Sequence, residues 1–312
     1  MTMFRFPLVA VMVAAVVTVG GCAPQLGDSS AVEVAGSEGI ESYLSQEVSW
    51  SECPADWFVD GGVASTATAD ALVDCTTIVV PGSYDDQVST PDFRIAMMRV
   101  RIDESIDKAI FINPGGPGGS GIEQVQNSDF PSDILAEYAF IGFDPRGVGH
   151  STFVDGTTIK CSDELDYLSY FGEASPANEA EVDAGVAENN AYYEDCVANN
   201  PYWWTLSTAG VVDDLEVMRA LVTPGEPLNF IGSSYGTTIA GRFVSEYPDS
   251  VGKIVFDSPT TVDTDRISSR ITDLAAAEEK LRIYLQGYAD FLGVSLDQAF
   301  GGSKILIPGL VY

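Results

Sequence analysis

The stretch NFIGSSYGTTIAG, residues Asn229 to Gly241, places a serine between two glycines, after an apolar run and before a small-residue helical pattern. In a G-x-S-x-G arrangement the central serine occupies a sharp strand-to-helix turn that only small neighbours allow. Gly232 and Gly236 satisfy this requirement on either side of Ser234. The stretch therefore predicts a nucleophilic Ser234. The alternative is a glycine-rich turn whose serine only caps the helix.

A second motif, NPGGPGGSG at Asn113–Gly121, follows another apolar run. Glycines that leave a strand can turn backbone N–H groups toward an oxygen that becomes negative during acyl transfer, and one such donor contributes about 10²–10³ in rate. The second donor of such a hole is the N–H of the residue after the nucleophile, here Tyr235. A phosphate-binding loop is the alternative, but the P-loop lysine and the dinucleotide glycine spacing are missing.

The third motif, DPRGVGHS at Asp144–Ser151, contains the only histidine of the sequence. We predict a buried ion pair between Asp144 and Arg146 that braces the neighbouring loops. His150 precedes Ser234, whereas this type of site requires the order Ser, acid, His. We therefore expect His150 to lie at the surface or to brace a loop rather than to act as the catalytic base.

The apolar pattern predicts strands that alternate with helices. Six runs have β-type composition, and the last four are nearly continuous, as in a parallel sheet buried on both faces: Thr76–Val80, Phe93–Arg101, Lys108–Ile112, Tyr138–Phe143, Leu228–Ile231 and Lys253–Phe256. Helical spacing occurs at Ala209–Leu221, with Asp213, Asp214 and Glu216 on its exposed face, and at Thr237–Tyr247 and Thr264–Gly293. The fold class is therefore α/β, a mostly parallel sheet flanked by helices. Asp163–Asn200 is predicted to be a polar, acidic insertion.

The charge balance excludes one class of partner. Lys and Arg number 15 against 46 Asp and Glu, which gives a net charge of −31. Nucleic-acid binding needs clustered basic residues, so no nucleic acid is expected as a partner. An exported protein with an acidic surface is the simpler interpretation, and a field that attracts cationic substrates is the alternative.

The amino terminus has the pattern of an export signal. Residues 1–21 contain a short apolar run followed by small residues. Val19-Gly20-Gly21-Cys22 is similar to a lipobox, so we expect Cys22 to be lipidated and the protein to be anchored on the extracellular side of the cell membrane. Ordinary secretion is the alternative. Residues 22–46, rich in Ser, Gly and acids, are predicted to be a tether.

Four cysteines remain after Cys22, an even number for an oxidising compartment. Three pairings are possible, and the sequence-local pairing, Cys53–Cys75 with Cys161–Cys196, is favoured because each loop closes within one stretch of chain. A metal site is the alternative, but C-x-x-C spacing and a nearby histidine are both missing. We expect neither a metal nor a cofactor.

Together, the three motifs in this order resemble α/β-hydrolases of the tripeptidyl aminopeptidase and proline iminopeptidase group, especially its exported actinobacterial branch. The resemblance extends from about Trp50 to Asp263. It implies the α/β-hydrolase fold, with Ser234 as nucleophile and the N–H groups of Gly116 and Tyr235 as the oxyanion hole. It also implies peptide substrates, which are shortened from a free amino terminus through an acyl-enzyme and recognised by a helical cap.

The sequence departs from this family in one respect. Family members supply a catalytic Asp and His after the cap, but no histidine follows Ser234, and we interpret Asp257 as structural. We expect residues 47–258 to be the amino-terminal part of the hydrolase domain and residues 259–312 the start of a truncated cap, with little activity in the isolated chain. Three alternatives remain: a non-catalytic lipoprotein binding module, an enzyme completed by a second chain, and esterase or acyltransferase chemistry.

Overall fold

The computed structural model describes residues 37–59, 71–85, 90–161, 177–260, 266–295 and 298. The predicted signal peptide (1–21), Cys22 and residues 22–36 of the predicted tether lie outside these ranges. Within them, no helix combines the length and apolarity needed to cross a bilayer.

The first described helix, α1, spans Ser37–Leu44 and lies inside the predicted tether. Its Tyr43 hydroxyl donates to Asp92 at 2.8 Å, and burial, together with this hydrogen bond, raises the pKa of Tyr43 to about 12. The Gln46 side chain donates to the Val79 carbonyl at 2.8 Å and accepts from the Val79 N–H at 2.7 Å. The tether prediction is therefore wrong for residues 37–46, which are bonded to the folded domain.

In the part of the chain that the structure describes, seven strands form one mixed sheet. In chain order they are β1 Leu72–Val80, β2 Phe93–Arg101, β3 Ala109–Asn113, β4 Ala139–Phe143, β5 Thr152–Phe153, β6 Leu228–Ser233 and β7 Val251–Asp257. The spatial order is β1-β2-β4-β3-β6-β7, and the short β5 also pairs with β2. β2 runs antiparallel to β1, β4 and β5, whereas β4, β3, β6 and β7 are parallel to one another. The mostly parallel sheet predicted from the apolar runs is confirmed.

Helices cover both faces of the sheet. After α1 the described helices are α2 Gly121–Gln126, α3 Ser132–Leu135, α4 Glu179–Asn199, α5 Thr208–Val222, α6 Tyr235–Glu246 and α7 Arg266–Leu292. Of these, α2 packs on one face of the sheet, and α5 and α6 pack on the other. Strand β2 shows how the core divides: Phe93, Ile95 and Met97 pack in the cluster with α5 and α6, and Ala96, Met98 and Val100 pack in the cluster with α2. Alternating residues of one strand therefore enter two different cores.

Helix α2 lies directly on β4. A Cβ added at Gly142 of β4 would overlap the carbonyl oxygen of Gly121, and a Cβ at Gly121 would overlap the backbone of Phe143. Helix and strand approach this closely because both contact residues lack a side chain.

Two disulfides join Cys53 to Cys75 and Cys161 to Cys196. This is the sequence-local pairing of the three that the sequence allows. Within the predicted insertion, residues 163–176 lie outside the described ranges, and the remainder contains α4, none of whose residues is buried.

Strand β7 lies at the edge of the sheet. It pairs with β6 on one side, and no described strand pairs with its other side. The side chains of Val255 and Phe256 are 51% and 46% exposed. Because consecutive residues of a strand point to opposite faces, both faces of β7 are open to solvent near its carboxyl end.

Candidate active site

Ser234 occupies the turn between β6 and α6. Its backbone has φ 52° and ψ −118°, a conformation that residues other than glycine rarely adopt. Holding a serine there costs about 1–3 kcal/mol, so the surrounding contacts must impose it. The residue is half-buried, and its Oγ forms no hydrogen bond with the described part of the chain. The turn thus presents an unengaged hydroxyl at the carboxyl edge of the sheet.

The neighbouring strand β7 holds this turn in place. The Ser234 N–H donates to the backbone carbonyl of Asp257 at 2.9 Å, and the Ser233 hydroxyl donates to the Asp257 carboxylate at 3.1 Å. Thr237 Oγ1 donates to the Ser234 carbonyl at 2.6 Å and accepts the Thr260 N–H at 2.9 Å. These contacts between β7, its exit segment and α6 hold the strained backbone of Ser234.

The glycine loop packs against the same turn. Gly115 has φ +98°, and a Cβ added to it would lie 2.9 Å from both Ser234 Cβ and Tyr235 N. The Gly115 carbonyl accepts the Gly119 N–H at 3.0 Å, which closes the loop. Neither Gly116 N–H nor Tyr235 N–H donates to any acceptor among the residues with described positions. The Tyr235 hydroxyl lies 2.9 Å from Thr208 Oγ1 of α5, so its side chain braces the helix while its N–H remains available.

Asp144 and Arg146 are both buried, but they do not form the predicted ion pair. Asp144 accepts hydrogen bonds from the Ser120 hydroxyl at 2.5 Å and from the His150 N–H at 2.8 Å. Arg146 instead pairs with Asp214 of α5, with Nη2 to Oδ1 at 2.6 Å. The prediction was wrong because the helical spacing assigned Asp214 to an exposed face, whereas Asp214 is only 2% exposed.

A buried polar network surrounds this pair. Arg146 also donates to the carbonyls of Gly82, Thr205 and Pro81, and the Tyr84 hydroxyl donates to Asp214 at 2.8 Å. Burial alone would lower the pKa of Arg146, but attraction to Asp214 outweighs it and raises the pKa. Burial and the Asp214 charge raise the pKa of Tyr84 well above its usual value. The network joins the exit of β4 to α5.

His150 stacks on Trp57, with ring centroids 4.9 Å apart and the planes 16° from parallel. This is the loop-bracing position expected for it, and the structure records no contact between it and Ser234. Among the residues that the structure describes, no group of three or more His, Cys, Asp or Glu side chains could hold a metal ion.

Two further residues shape the site. Asn113, the first residue of the second motif, bonds the glycine loop through its side chain, a role that the motif did not indicate. Asp257, interpreted from the sequence as structural, accepts the Ser234 N–H through its carbonyl; each of the two is the last residue of its strand. Whether such a residue contacts Ser234 depends on the order of strands in the sheet, which spacing does not specify.

Comparison with known proteins places the chain in a family. A family model described as alpha/beta hydrolase fold matches residues 108–294, more than half of the chain. The chain is 31% identical over 233 residues to tripeptidyl aminopeptidase of Streptomyces coelicolor, in an alignment covering 70% of this chain and 39% of that protein. The chain is 27% identical over 271 residues to serine protease Hip1 of Mycobacterium tuberculosis, in an alignment that covers 82% of this chain and 48% of that protein.

A third relative is named for a different chemistry. Carboxylesterase B of Mycobacterium tuberculosis is 28% identical over 227 residues, covering 69% of this chain and 41% of that protein. The chain spans less than half the length of each of these three relatives. The fold class and the family resemblance predicted from the three motifs are confirmed. The chain belongs to the α/β-hydrolase fold family.

Proposed function

We propose that this chain carries the nucleophile and the oxyanion hole of an exported serine hydrolase that releases residues or short peptides from peptide amino termini. Ser234 Oγ attacks the scissile carbonyl carbon. The carbonyl oxygen of the substrate then becomes negative between the N–H groups of Gly116 and Tyr235. The C–N bond then breaks, the amine leaves with a proton, and water hydrolyses the resulting acyl-enzyme. The observation that carries the proposal is the strained, unengaged Ser234 packed against the Gly115 loop.

The relatives support a substrate class for this proposal. Similarity to a tripeptidyl aminopeptidase and to a serine protease supports peptides with a free amino terminus as substrates. Similarity to Carboxylesterase B favours ester hydrolysis as the second candidate. Both reactions use the same acyl-enzyme chemistry, so Ser234 has the same role in each. In this proposal α7 belongs to the cap that recognises the peptide.

We propose further that the catalytic acid and base come from polypeptide outside these 312 residues. The single histidine is stacked on Trp57, and the chain spans less than half the length of its relatives. Losing the histidine of a serine triad lowers kcat by about 10⁶, which leaves only the oxyanion hole and binding effects. The isolated chain is therefore nearly inactive.

Covalent labelling with a fluorophosphonate tests the role of Ser234 without the missing base. Imidazole in solution replaces the base, and mass spectrometry of peptides locates the label. We expect slow labelling of Ser234 that imidazole accelerates, no label at this position in Ser234→Ala, and unchanged labelling in the control Ser105→Ala, at an exposed turn before β3. Label that persists in Ser234→Ala, or an unlabelled wild-type chain at every imidazole concentration, would refute the proposal.

A substrate panel separates the two candidate reactions. Tripeptidyl anilides with free and with acetylated amino termini are compared with short-chain nitrophenyl esters, in the presence of imidazole and with Ser234→Ala as background. Turnover of only the free-amine anilide supports the peptidase. Turnover of esters alone would favour the second candidate.

The proposed location is the extracellular side of the cell membrane, with Cys22 as the lipid attachment site. The signal-like residues 1–21 and the two disulfides, which are typical of oxidising compartments, support it. Metabolic labelling with an alkyne fatty acid tests it: wild-type protein should take up label and fractionate with membranes, and Cys22→Ser should do neither. Equal labelling of Cys22→Ser would contradict the anchor.

A further inference from the structure

Asn113 lies where β3 meets the glycine loop, and only 1% of its surface is exposed. It is the last residue of β3 and pairs in parallel register with Gly232 of β6, two residues before the nucleophile. A buried amide costs free energy unless it forms hydrogen bonds, so its contacts indicate why an amide is placed here.

The side chain of Asn113 holds the glycine loop. Its Oδ1 accepts the Gly115 N–H at 3.0 Å. Gly115 is the loop residue that packs on the nucleophile turn, since a Cβ there would lie 2.9 Å from Ser234 Cβ and from Tyr235 N. The hydrogen bond to Asn113 therefore fixes how the loop lies over Ser234.

Asn113 also contacts the helix on the other side of the turn. A Cβ added at Gly236 would lie 2.6 Å from the Asn113 carbonyl oxygen and 3.1 Å from its Oδ1. Gly236 is the second residue of α6, directly after Tyr235. One buried residue thus contacts both the loop that contains Gly116 and the helix end that contains Tyr235.

An amide suits this position electrostatically. Aspartate has nearly the same shape and could also accept the Gly115 N–H, but its buried negative charge would oppose an oxyanion that forms nearby. The Nδ2 group of Asn113 is buried and has no acceptor among the described residues. The positive end of the amide dipole is therefore not neutralised at this end of the sheet.

We propose that Asn113 is a positioning residue of the oxyanion hole. Its Oδ1 sets the separation between the N–H groups of Gly116 and Tyr235, and its neutral amide keeps negative charge away from the reacting carbonyl. The inference rests on the proposed function of Ser234.

The imidazole-assisted labelling of Ser234 tests the inference in Asn113→Ala and Asn113→Asp, with Asn127→Ala and Asn127→Asp at the exposed end of α2 as matched controls. We expect labelling to slow by about tenfold in Asn113→Ala, less than the 10²–10³ lost with a whole oxyanion donor, because the Gly116 N–H is displaced rather than removed. Asn113→Asp should approach the wild-type rate near pH 5.5, where a buried carboxyl holds its proton, and should fall below it as the pH rises to about 8. The ionisable side chains nearby, Asp144, Tyr235 and Asp257, are the same in every form. Dividing each rate by the wild-type rate therefore removes the pH dependence that all forms share, including that of imidazole.

Amide hydrogen exchange provides a readout that needs no labelling. Protection of the Gly115 N–H should be lost in Asn113→Ala and kept in Asn113→Asp, and cooperative thermal unfolding shows that both variants fold. Wild-type labelling rates in both Asn113 variants, or an Asn113→Asp ratio that does not vary with pH, would overturn the inference. An unlabelled wild-type chain would instead refute the proposed function of Ser234.

Discussion

Ser234, the proposed nucleophile, has an unfavourable backbone conformation. Glycine adopts φ 52° without the steric cost that serine bears, although it loses more freedom on folding. We therefore expect Ser234→Gly to increase the free energy of unfolding by about 1 kcal/mol, while fluorophosphonate labelling disappears. Urea unfolding measures the change. Ser233→Gly, at the end of β6, is the control and should lower stability by about 0.5–1 kcal/mol. A Ser234→Gly variant less stable than wild type would show that the turn is not strained.

Asp213 makes stability depend on pH. Burial raises the pKa of its carboxyl to about 6, although the Tyr247 hydroxyl, which donates to it at 2.5 Å, opposes the shift. The pKa of Asp in unfolded chains is about 3.9. The native state therefore binds the proton of the Asp213 carboxyl more tightly than the unfolded state does. The stability that this proton contributes is fully present below about pH 4 and is lost as the pH rises through about 6.

Replacing Asp213 with asparagine tests this linkage. Asn keeps an acceptor for Tyr247 but does not titrate, so we expect Asp213→Asn to gain stability relative to wild type between about pH 4 and about pH 7, and no further above that. Urea unfolding across this range gives the difference. Asp183→Asn, at an exposed site on α4, is the control. A difference that is constant with pH would contradict the raised pKa.

The contact between α2 and β4 depends on two glycines. Because a Cβ at Gly142 would overlap the Gly121 carbonyl, Gly142→Ala must push the helix off the strand. We expect a loss of about 3 kcal/mol, the upper part of the usual range for overpacking. Gly185→Ala in α4 is the control, since no atom lies within 4 Å of its added Cβ, and it should gain about 0.5–1 kcal/mol. Equal effects of the two substitutions on thermal unfolding would refute the close packing.

The Arg146–Asp214 pair joins the exit of β4 to α5. Both side chains are 2% exposed, so Arg146→Met leaves a buried carboxylate without its partner, and we expect a loss of about 3–5 kcal/mol. Arg242→Met removes an exposed pair with Glu246 and should cost less than about 1 kcal/mol. Guanidinium unfolding compares them. Similar losses of stability in Arg146→Met and Arg242→Met would contradict the expected cost of leaving a buried carboxylate unpaired.

The apolar pattern predicted the central strands closely and missed elements that lack such a pattern. The start of β1 at Leu72 was missed because Asp74 interrupts its apolar run and is balanced instead by Arg99 and Arg101 of β2. Helix α4 buries no residue, so no periodicity marks it. A local signal did exist, since Asn178 caps this helix and exchanges hydrogen bonds with Glu181.

At the scale of the molecule, the open edge of β7 and the net charge act against each other. Exposed Val255 and Phe256 beside unpaired backbone favour association, whereas a charge of −31 opposes it. We expect more self-association at about 0.15 M salt than at about 0.01 M, because the Debye length falls from about 30 Å to about 8 Å. Sedimentation velocity measures the change. Val255→Lys should reduce it, and Val186→Lys on α4 should not. Equal effects would exclude β7 as the contact.

The motifs located the candidate nucleophile, but sequence spacing could not show what holds it. Ser234 and the glycine loop could be predicted because each motif lies within one short stretch of the chain. Asn113 and Asp257 act across strands, and the Arg146–Asp214 bond joins residues 68 positions apart. Such contacts depend on strand order and helix placement, which arise only when the whole sheet has formed.

The hydrogen bond from the Ser234 N–H to the Asp257 carbonyl connects the proposed nucleophile to β7, an edge strand of the described sheet. Thermal fluctuation of that border strand is therefore passed to the proposed nucleophile through this bond and through the neighbouring bond from Ser233 to Asp257. Any polypeptide that immobilised the border would also make the serine more rigid, so chemical reactivity at residue 234 would report on events at the rim of the protein.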